Sequence, residues 1–140
     1  MKCMASMVCD GLYIGDAAVA GELRILEELG IERIISLGND KEVKKYKYFD
    51  HIEYLKIVID DEENEDIAKY FAICNTFIES GNSLVHCHQG ISRSATIVIA
   101  YLMNTYRTDF NTAFQKLKSI RPVVKPNKGF VTQLKLYSRY

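Results

Sequence analysis

The run Ser83-Leu84-Val85-His86-Cys87-His88-Gln89-Gly90-Ile91-Ser92-Arg93-Ser94-Ala95-Thr96-Ile97-Val98-Ile99-Ala100-Tyr101-Leu102-Met103 decides how this chain folds. Its first three residues read as a short buried strand and its last nine as a buried helix, with a glycine-bearing loop between them. A strand passing through such a loop into a helix N-terminus builds an anion site, because the loop amides converge on one point and the helix dipole adds partial positive charge there. Cys87 then lies beneath a bound anion. Arg93, six positions on, can fork onto two of the anion's oxygens. Gly90 lets the backbone turn its amides inward, where a side chain would crowd the ligand. Contact with an anionic substrate is therefore assigned to His88, Gln89, Gly90, Ile91, Ser92 and Arg93.

The thiolate, not the thiol, is the nucleophile, and a helix N-terminus or a neighbouring cation favours it. The loop offers Cys87 both. Ser94 is expected to donate a hydrogen bond to the Cys87 sulfur and make it a better leaving group in a later step. His86 points to the opposite face of the strand and is expected to support the loop through a hydrogen bond. A lone cysteine at a strand end is more often a small buried hydrophobe. Here the strand before, the helix after, the central glycine and the serine following Arg93 outweigh that reading. A metal site on His86-Cys87-His88 is set aside, since successive strand residues diverge and no second Cys/His pair stands at zinc spacing.

Outward from the loop, short strands are expected near residues 8–9 and 12–14, a helical stretch over 21–29, and a buried strand over 31–37 closed by Gly38-Asn39-Asp40. Residues 41–50 are polar and tyrosine-rich and read as a short helix or loop at the edge of the site. A strand over 54–59 follows, then a helix over 66–80 on which Ile67, Tyr70, Phe71, Cys74, Phe77 and Ile78 form one apolar face. After the Gly81-Asn82 turn come the strand over 83–87 and the helix over 92–105. Thr108 or Asp109 can cap a helix to about 120, and Asn127 can cap the last one, over 128–138. Strands alternating with helices indicate an α/β fold, a largely parallel central sheet flanked by helices, in a single domain over residues 1–140.

The loop resembles that of the cysteine-dependent protein tyrosine phosphatases, and among them the small, atypical dual-specificity phosphatases. Leu12-Tyr13-Ile14-Gly15-Asp16-Ala17, Leu29-Gly30-Ile31-Glu32-Arg33-Ile34-Ile35-Ser36-Leu37, Ala100-Tyr101-Leu102-Met103 and Lys125-Pro126-Asn127-Lys128-Gly129-Phe130-Val131-Thr132-Gln133-Leu134 extend the likeness in the same order, from about residue 8 to about 137. It implies a two-step reaction without metal or cofactor. Cys87 attacks phosphorus to form a phosphocysteine, an aspartic acid from a separate loop protonates the leaving oxygen, and the same aspartate then activates water. Arg93 and the loop amides hold the phosphoryl group throughout. The acid lies in Asp60-Asp61-Glu62-Glu63-Asn64-Glu65-Asp66. In the family it stands six residues before the first apolar residue of the next helix, here Ile67, which favours Asp61 over its neighbour Asp60. For Glu65 and Asp66 the better reading is an acidic approach to a helix N-terminus. Catalysis thus falls to Cys87, Arg93, Asp61 and Ser94, with His86 and Asn127 supporting the loop.

At 140 residues and 48% apolar content the chain is long enough to bury a core of its own. No apolar run is long enough to span a bilayer. The opening Met1-Lys2-Cys3-Met4-Ala5-Ser6-Met7 carries no apolar signal segment and no glycine at position 2 for myristoylation. Cys3, Cys9, Cys74 and Cys87 are too scattered for a disulfide framework, so a reducing compartment is expected, the cytoplasm or also the nucleus. Residues 1–80 carry nine basic and seventeen acidic side chains, and residues 81–140 nine basic and one acidic, so the halves are −8 and +8. The positive half holds the loop, which suits an anionic substrate. No aromatic-basic motif supports nucleic-acid binding. The chain has little room for insertions that deepen a phosphotyrosine pocket. A shallower pocket admits phosphoserine and phosphothreonine as well, so the expected partners of this monomer are phosphoproteins. A phosphoinositide or RNA 5′-phosphatase using the same loop is the alternative; lipid-directed relatives usually carry more basic residues between the Cys and the Arg than His88 alone. A phosphate-binding pseudophosphatase is a further one, though such proteins typically lack the cysteine or the arginine.

Overall fold

The computed structural model describes residues 5–137; the readings on Met1–Met4, Cys3 among them, lie outside the described residues, and the last helix, expected to reach about 138, ends at Leu136. Five strands form one sheet: β1 (Ser6–Cys9), β2 (Leu12–Gly15), β3 (Arg33–Gly38), β4 (Glu53–Val58) and β5 (Ser83–His86), in the order β1-β2-β5-β3-β4. β1 and β2 pair antiparallel across Gly11, whose φ of 83° only glycine adopts freely. The remaining pairs are parallel, with Ile14 and Ile35 both opposite Val85. The sheet is therefore largely parallel, as the alternation of elements predicts.

Side-chain parity divides the core in two. Leu12, Ile14, Ile35, Leu37, Ile57, Val85 and Cys87 face one way, into the larger cluster with Phe71, Ile97, Leu117, Phe130 and Leu134. Ile34 and Leu84 face the other way, onto Val19, Leu26, Ile31 and Ile52. The larger side is covered by α4 (Phe71–Glu79), α5 (Arg93–Tyr106), α6 (Phe110–Ile120) and α7 (Lys128–Leu136); the smaller by α1 (Ala17–Ala20) and α2 (Leu23–Leu29). α5 runs through the middle of the larger side, in contact with α4, α6 and α7. That is why nearly every residue from Arg93 to Met103 is buried and the helix is apolar on all faces. Each fully buried aromatic or aliphatic side chain, such as Phe71 or Phe130, contributes about 1.5–3 kcal/mol of burial free energy. Among the described residues no helix is long and apolar enough to cross a membrane.

The largest departures from the sequence reading fall at three element boundaries. The helical stretch over 21–29 is two helices, because the Asp16 carboxylate accepts a hydrogen bond from the Val19 amide and starts α1 early, and Gly21 then ends it. Ile31 belongs to the end of α2, its amide donating to the Leu26 carbonyl behind the left-handed Gly30, so β3 begins at Arg33. The helix over 66–80 begins later. The Tyr70 amide donates to the Ile67 carbonyl three residues back, at 3.0 Å, so Ala68–Tyr70 is a 3₁₀ turn and α4 starts at Phe71, while the Ala68 amide donates to the side chain of Gln133, 2.9 Å away. Residues 41–50 resolve into α3 (Asp40–Lys45), capped by Asn39, and an irregular segment.

Candidate active site

The carboxyl ends of β2, β3, β4 and β5 lie along one edge of the sheet, and that edge carries the site, as parallel sheets generally arrange. Cys87 immediately follows β5 and α5 begins at Arg93, so residues 88–92 form the connecting loop. Four carbonyls of the stretch from Cys87 to Ser92 are drawn outward. The Cys87 carbonyl accepts from His86 Nδ1 (3.1 Å), that of His88 from the Ala17 amide (3.1 Å), that of Gly90 from Arg121 Nε (3.0 Å), and that of Ile91 from the Lys125 amide (2.8 Å). In a planar trans peptide the next N–H points the opposite way. The amides of His88, Gln89, Ile91 and Ser92 are thereby turned inward. The side chains of His88 and Gln89 are exposed, so these residues serve the site through their backbone.

Gly90 has φ of 70°, and a Cβ there would lie 2.6 Å from the Gly15 carbonyl and 2.7 Å from Arg121 Nη2. Both the conformation and the close approach demand glycine. The Gly90 amide donates to Cys87 Sγ at 3.2 Å, and Ser94 Oγ lies 3.2 Å from the same sulfur. The sulfur is thus flanked by the Gly90 amide and the Ser94 hydroxyl while the residue is 2% exposed. Cys74, by contrast, is packed in the core, where burial pushes its thiol up to about 12.

Arg93 is buried and engages the protein through Nη1 alone, which donates to Glu42 Oε1 (2.9 Å) and to the Ile59 carbonyl (3.0 Å). Among the described residues the Nε and Nη2 edge has no protein partner, and two parallel donors remain for a bidentate anion. Burial pulls the guanidinium down, but the hydrogen bond and charge of Glu42 and the charge at Cys87 outweigh it and hold it more firmly protonated than usual. Burial likewise pushes the Glu42 carboxyl up; the Asn39 amide and Arg93 outweigh it and keep the carboxylate below its ordinary range. His86 is buried beneath the loop. Its Nδ1 faces a carbonyl and so carries the proton, leaving Nε2 to accept from the Ser36 hydroxyl at 2.8 Å. Tyr46 packs edge-on against the ring with centroids 4.7 Å apart. Burial pulls His86 down to about 4, against the opposing effects of the Cys87 carbonyl and Asp16, and it is neutral near pH 7.

Asp61 and Asp60 part company. Asp61 Oδ1 accepts from Ser92 Oγ (2.7 Å) and Asn127 Nδ2 (2.8 Å), and among the described residues Oδ2 has no partner. Asp61 joins Glu42, Cys87, His88, Ser92 and Arg93 around a cavity of about 160 Å³. Asp60 instead lines a separate groove with Asn39 and Val58. Asn127 has three tasks: its side-chain oxygen caps α7 at the Phe130 amide, its side-chain nitrogen holds Asp61, and its backbone amide donates to Ser92 Oγ. The structure thus brings together Cys87, Arg93, Ser94, Asp61, the loop amides, His86 and Asn127. Sequence reasoning missed Glu42, Ser36, Tyr46 and Arg121. Only Glu42 carried a local signal, the capping box it forms with Asn39.

The cavity is below the roughly 300–1,000 Å³ of ordinary small-molecule sites and suits a phosphoryl group with little of what bears it. A wider groove of about 470 Å³ between Asn64 and Tyr137 has neither a cation nor a thiol along it. Among the described residues no group of three or more His, Cys, Asp or Glu side chains could hold a metal ion.

Residues 12–140 match the family described as dual specificity phosphatase, catalytic domain. A probable dual specificity protein phosphatase of Dictyostelium discoideum is 40% identical over 93% of this chain and 61% of its own length. Dual specificity protein phosphatase 1 of Arabidopsis thaliana is 35% identical over 92% of this chain and 66% of its own. The chain therefore spans less than two thirds of these curated relatives. Among solved structures, the human tyrosine phosphatase-like serine/threonine/tyrosine-interacting protein superposes with a TM-score of 0.92 at 33% identity, covering 97% of this chain and 96% of that one.

Proposed function

Because the chain belongs to the dual specificity phosphatase catalytic-domain family, we propose that it is a protein phosphatase that hydrolyses phosphotyrosine and phosphoserine or phosphothreonine through a phosphocysteine. One observation carries this reading: a thiol, inward-turned amides, a half-free guanidinium and a carboxyl oxygen without a partner converge on one cavity the size of a phosphoryl group. In the first step the Cys87 thiolate bonds to phosphorus, the phosphorus–oxygen ester bond breaks, and the proton on Asp61 Oδ2 passes to the leaving oxygen. In the second, Asp61 takes a proton from water as that water attacks phosphorus, and the sulfur–phosphorus bond breaks to give inorganic phosphate and the thiolate, which Ser94 stabilises by donating its hydroxyl hydrogen. Charge spread over the phosphoryl oxygens meets Arg93 and the amides of residues 88–92 in both steps.

We read the working unit as a monomer acting on phosphoproteins. A thiol nucleophile must stay reduced, and the described cysteines Cys9, Cys74 and Cys87 are all free, which supports work in the cytoplasm or nucleus. The test sets phosphotyrosyl and phosphothreonyl peptides against phosphoinositides at equal concentration. Phosphate release from both peptides and a burst of product from an aryl phosphate, abolished in Cys87→Ser, is the expected result. Preferred turnover of the lipid, or tight peptide binding without release, overturns the reading.

A further inference from the structure

Residues 61–68 do not hang free over the cavity; they lie along the first turns of α7 and touch it at regular intervals. Asp61 is held by Asn127 Nδ2, the Glu65 carbonyl accepts from Gln133 Nε2 at 2.8 Å, and the Ala68 amide donates to Gln133 Oε1 at 2.9 Å. Between these polar ties sits Gly129. A Cβ built there would lie 2.6 Å from the carbonyl carbon of Glu63 and 2.7 Å from its Cα, and it would collide with the Glu63 carbonyl oxygen. Such an approach is open to a bare backbone alone, and here the obstacle is main chain that no rotamer change can move aside. Gly129 has no left-handed φ to adopt. What the missing side chain makes room for is the segment that carries Asp61.

We infer that Gly129 and Gln133 are positioning residues, which make the N-terminal half of α7 a seat for the segment carrying the acid and hold Asp61 at the cavity before any substrate arrives. The inference rests on Asp61 being the acid of a cysteine phosphatase. Positioning matters here because a displacement of about 1 Å at a catalytic group can cost roughly a hundredfold in rate. A methyl at position 129 must lift Glu63, and Asp61 lies two residues away on the same stretch.

The acid is needed only where the leaving oxygen is basic, which gives the test its discrimination. In Gly129→Ala, kcat/KM for phenyl phosphate is expected to fall roughly 10- to 100-fold, while dinitrophenyl phosphate, whose leaving group departs without a proton, stays within about twofold. Gln133→Ala, which removes both hydrogen bonds and no backbone contact, is expected to show the same pattern more weakly and keeps the test open should Gly129→Ala not fold. Amide hydrogen exchange across residues 61–68 is expected to quicken in both variants, independently of turnover. Equal losses on the two esters, or unchanged exchange and unchanged phenyl phosphate turnover, overturn the inference. A native chain that gives no Cys87-dependent burst from dinitrophenyl phosphate overturns the phosphatase reading itself, and Asp61's role falls with it; the exchange data then report separately on whether the segment is seated.

Discussion

Asp60 and Asp61 are adjacent and chemically alike, yet the backbone sends them to different cavities. Ile57 and Ile59 are buried on the side that carries Cys87, whereas Val58 and Asp60 are exposed. β4 has ended at Val58 and both aspartates are exposed; what separates them is that Asp61 is tied to Ser92 and Asn127 beside the thiol's cavity. Asp61→Ala is therefore expected to lower kcat on a phenyl phosphate by roughly 10²–10⁴, and Asp60→Ala to change it little, in steady-state assays run side by side. The reverse order assigns the acid to Asp60. The spacing from Cys87 to Ser94 is visible in the sequence, because it is a property of neighbouring residues, whereas Asp61 is favoured there only by the count to Ile67 that the family resemblance implies. The Glu42–Arg93 pair is not visible there. It exists only after β3 and β5 have paired, and its one local trace, an Asn39–Glu42 box, reads as a helix cap and nothing more. Arg121 left no trace, since an arginine closing a helix ordinarily reads as a solvated charge.

At the scale of elements, the anion loop owes its shape to the segments around it. Gly15 at the end of β2, Ala17 at the start of α1, Arg121 at the end of α6 and Lys125 before α7 each hold or crowd one of its peptide groups. Arg121 is the most exposed to test, because its Nε holds the Gly90 carbonyl and its Nη1 reaches Ser6 Oγ at 3.3 Å, tying the loop to β1. A hydrogen bond from a charged donor is worth about 1.5–3 kcal/mol. Arg121→Met is expected to weaken competitive inhibition by inorganic phosphate about tenfold or more, and to lower kcat/KM equally for esters with good and poor leaving groups. Unequal losses on the two esters would instead place Arg121 with the acid. The segment before α4 is held from a distance in the same way: helical periodicity over 66–80 is real, but Ala68–Tyr70 is a 3₁₀ turn whose Ala68 amide is bound by Gln133, a partner no local window contains.

Across the whole molecule, the −8 and +8 halves of the chain do not form two lobes. β5 from the positive half is inserted between β2 and β3 of the negative one, so Arg93 meets Glu42, and Ser92 and Asn127 meet Asp61, across the divide. The same insertion buries His86 in its neutral form between Ser36 and Tyr46. Its folded-state pKa of about 4 lies below the ordinary 6.5. As pH falls through that window the unfolded chain takes up a proton that the native chain resists, so stability declines with falling pH and levels off below about 4. From this group alone about 2 kcal/mol is expected to be lost between pH 7 and pH 5. Denaturant titrations at the two values check it, with His86→Asn expected to flatten the difference; an unchanged difference means that other groups carry it. The dependence of the anion loop on Arg121, Lys125 and Asn127 bears finally on synthesis. A ribosome-bound chain that has completed Cys87 and Arg93 still lacks every one of those three, so the thiol is made well before the cradle that would let it act. The anion loop therefore takes its final shape late in translation, once residues 121–127 can pack against it.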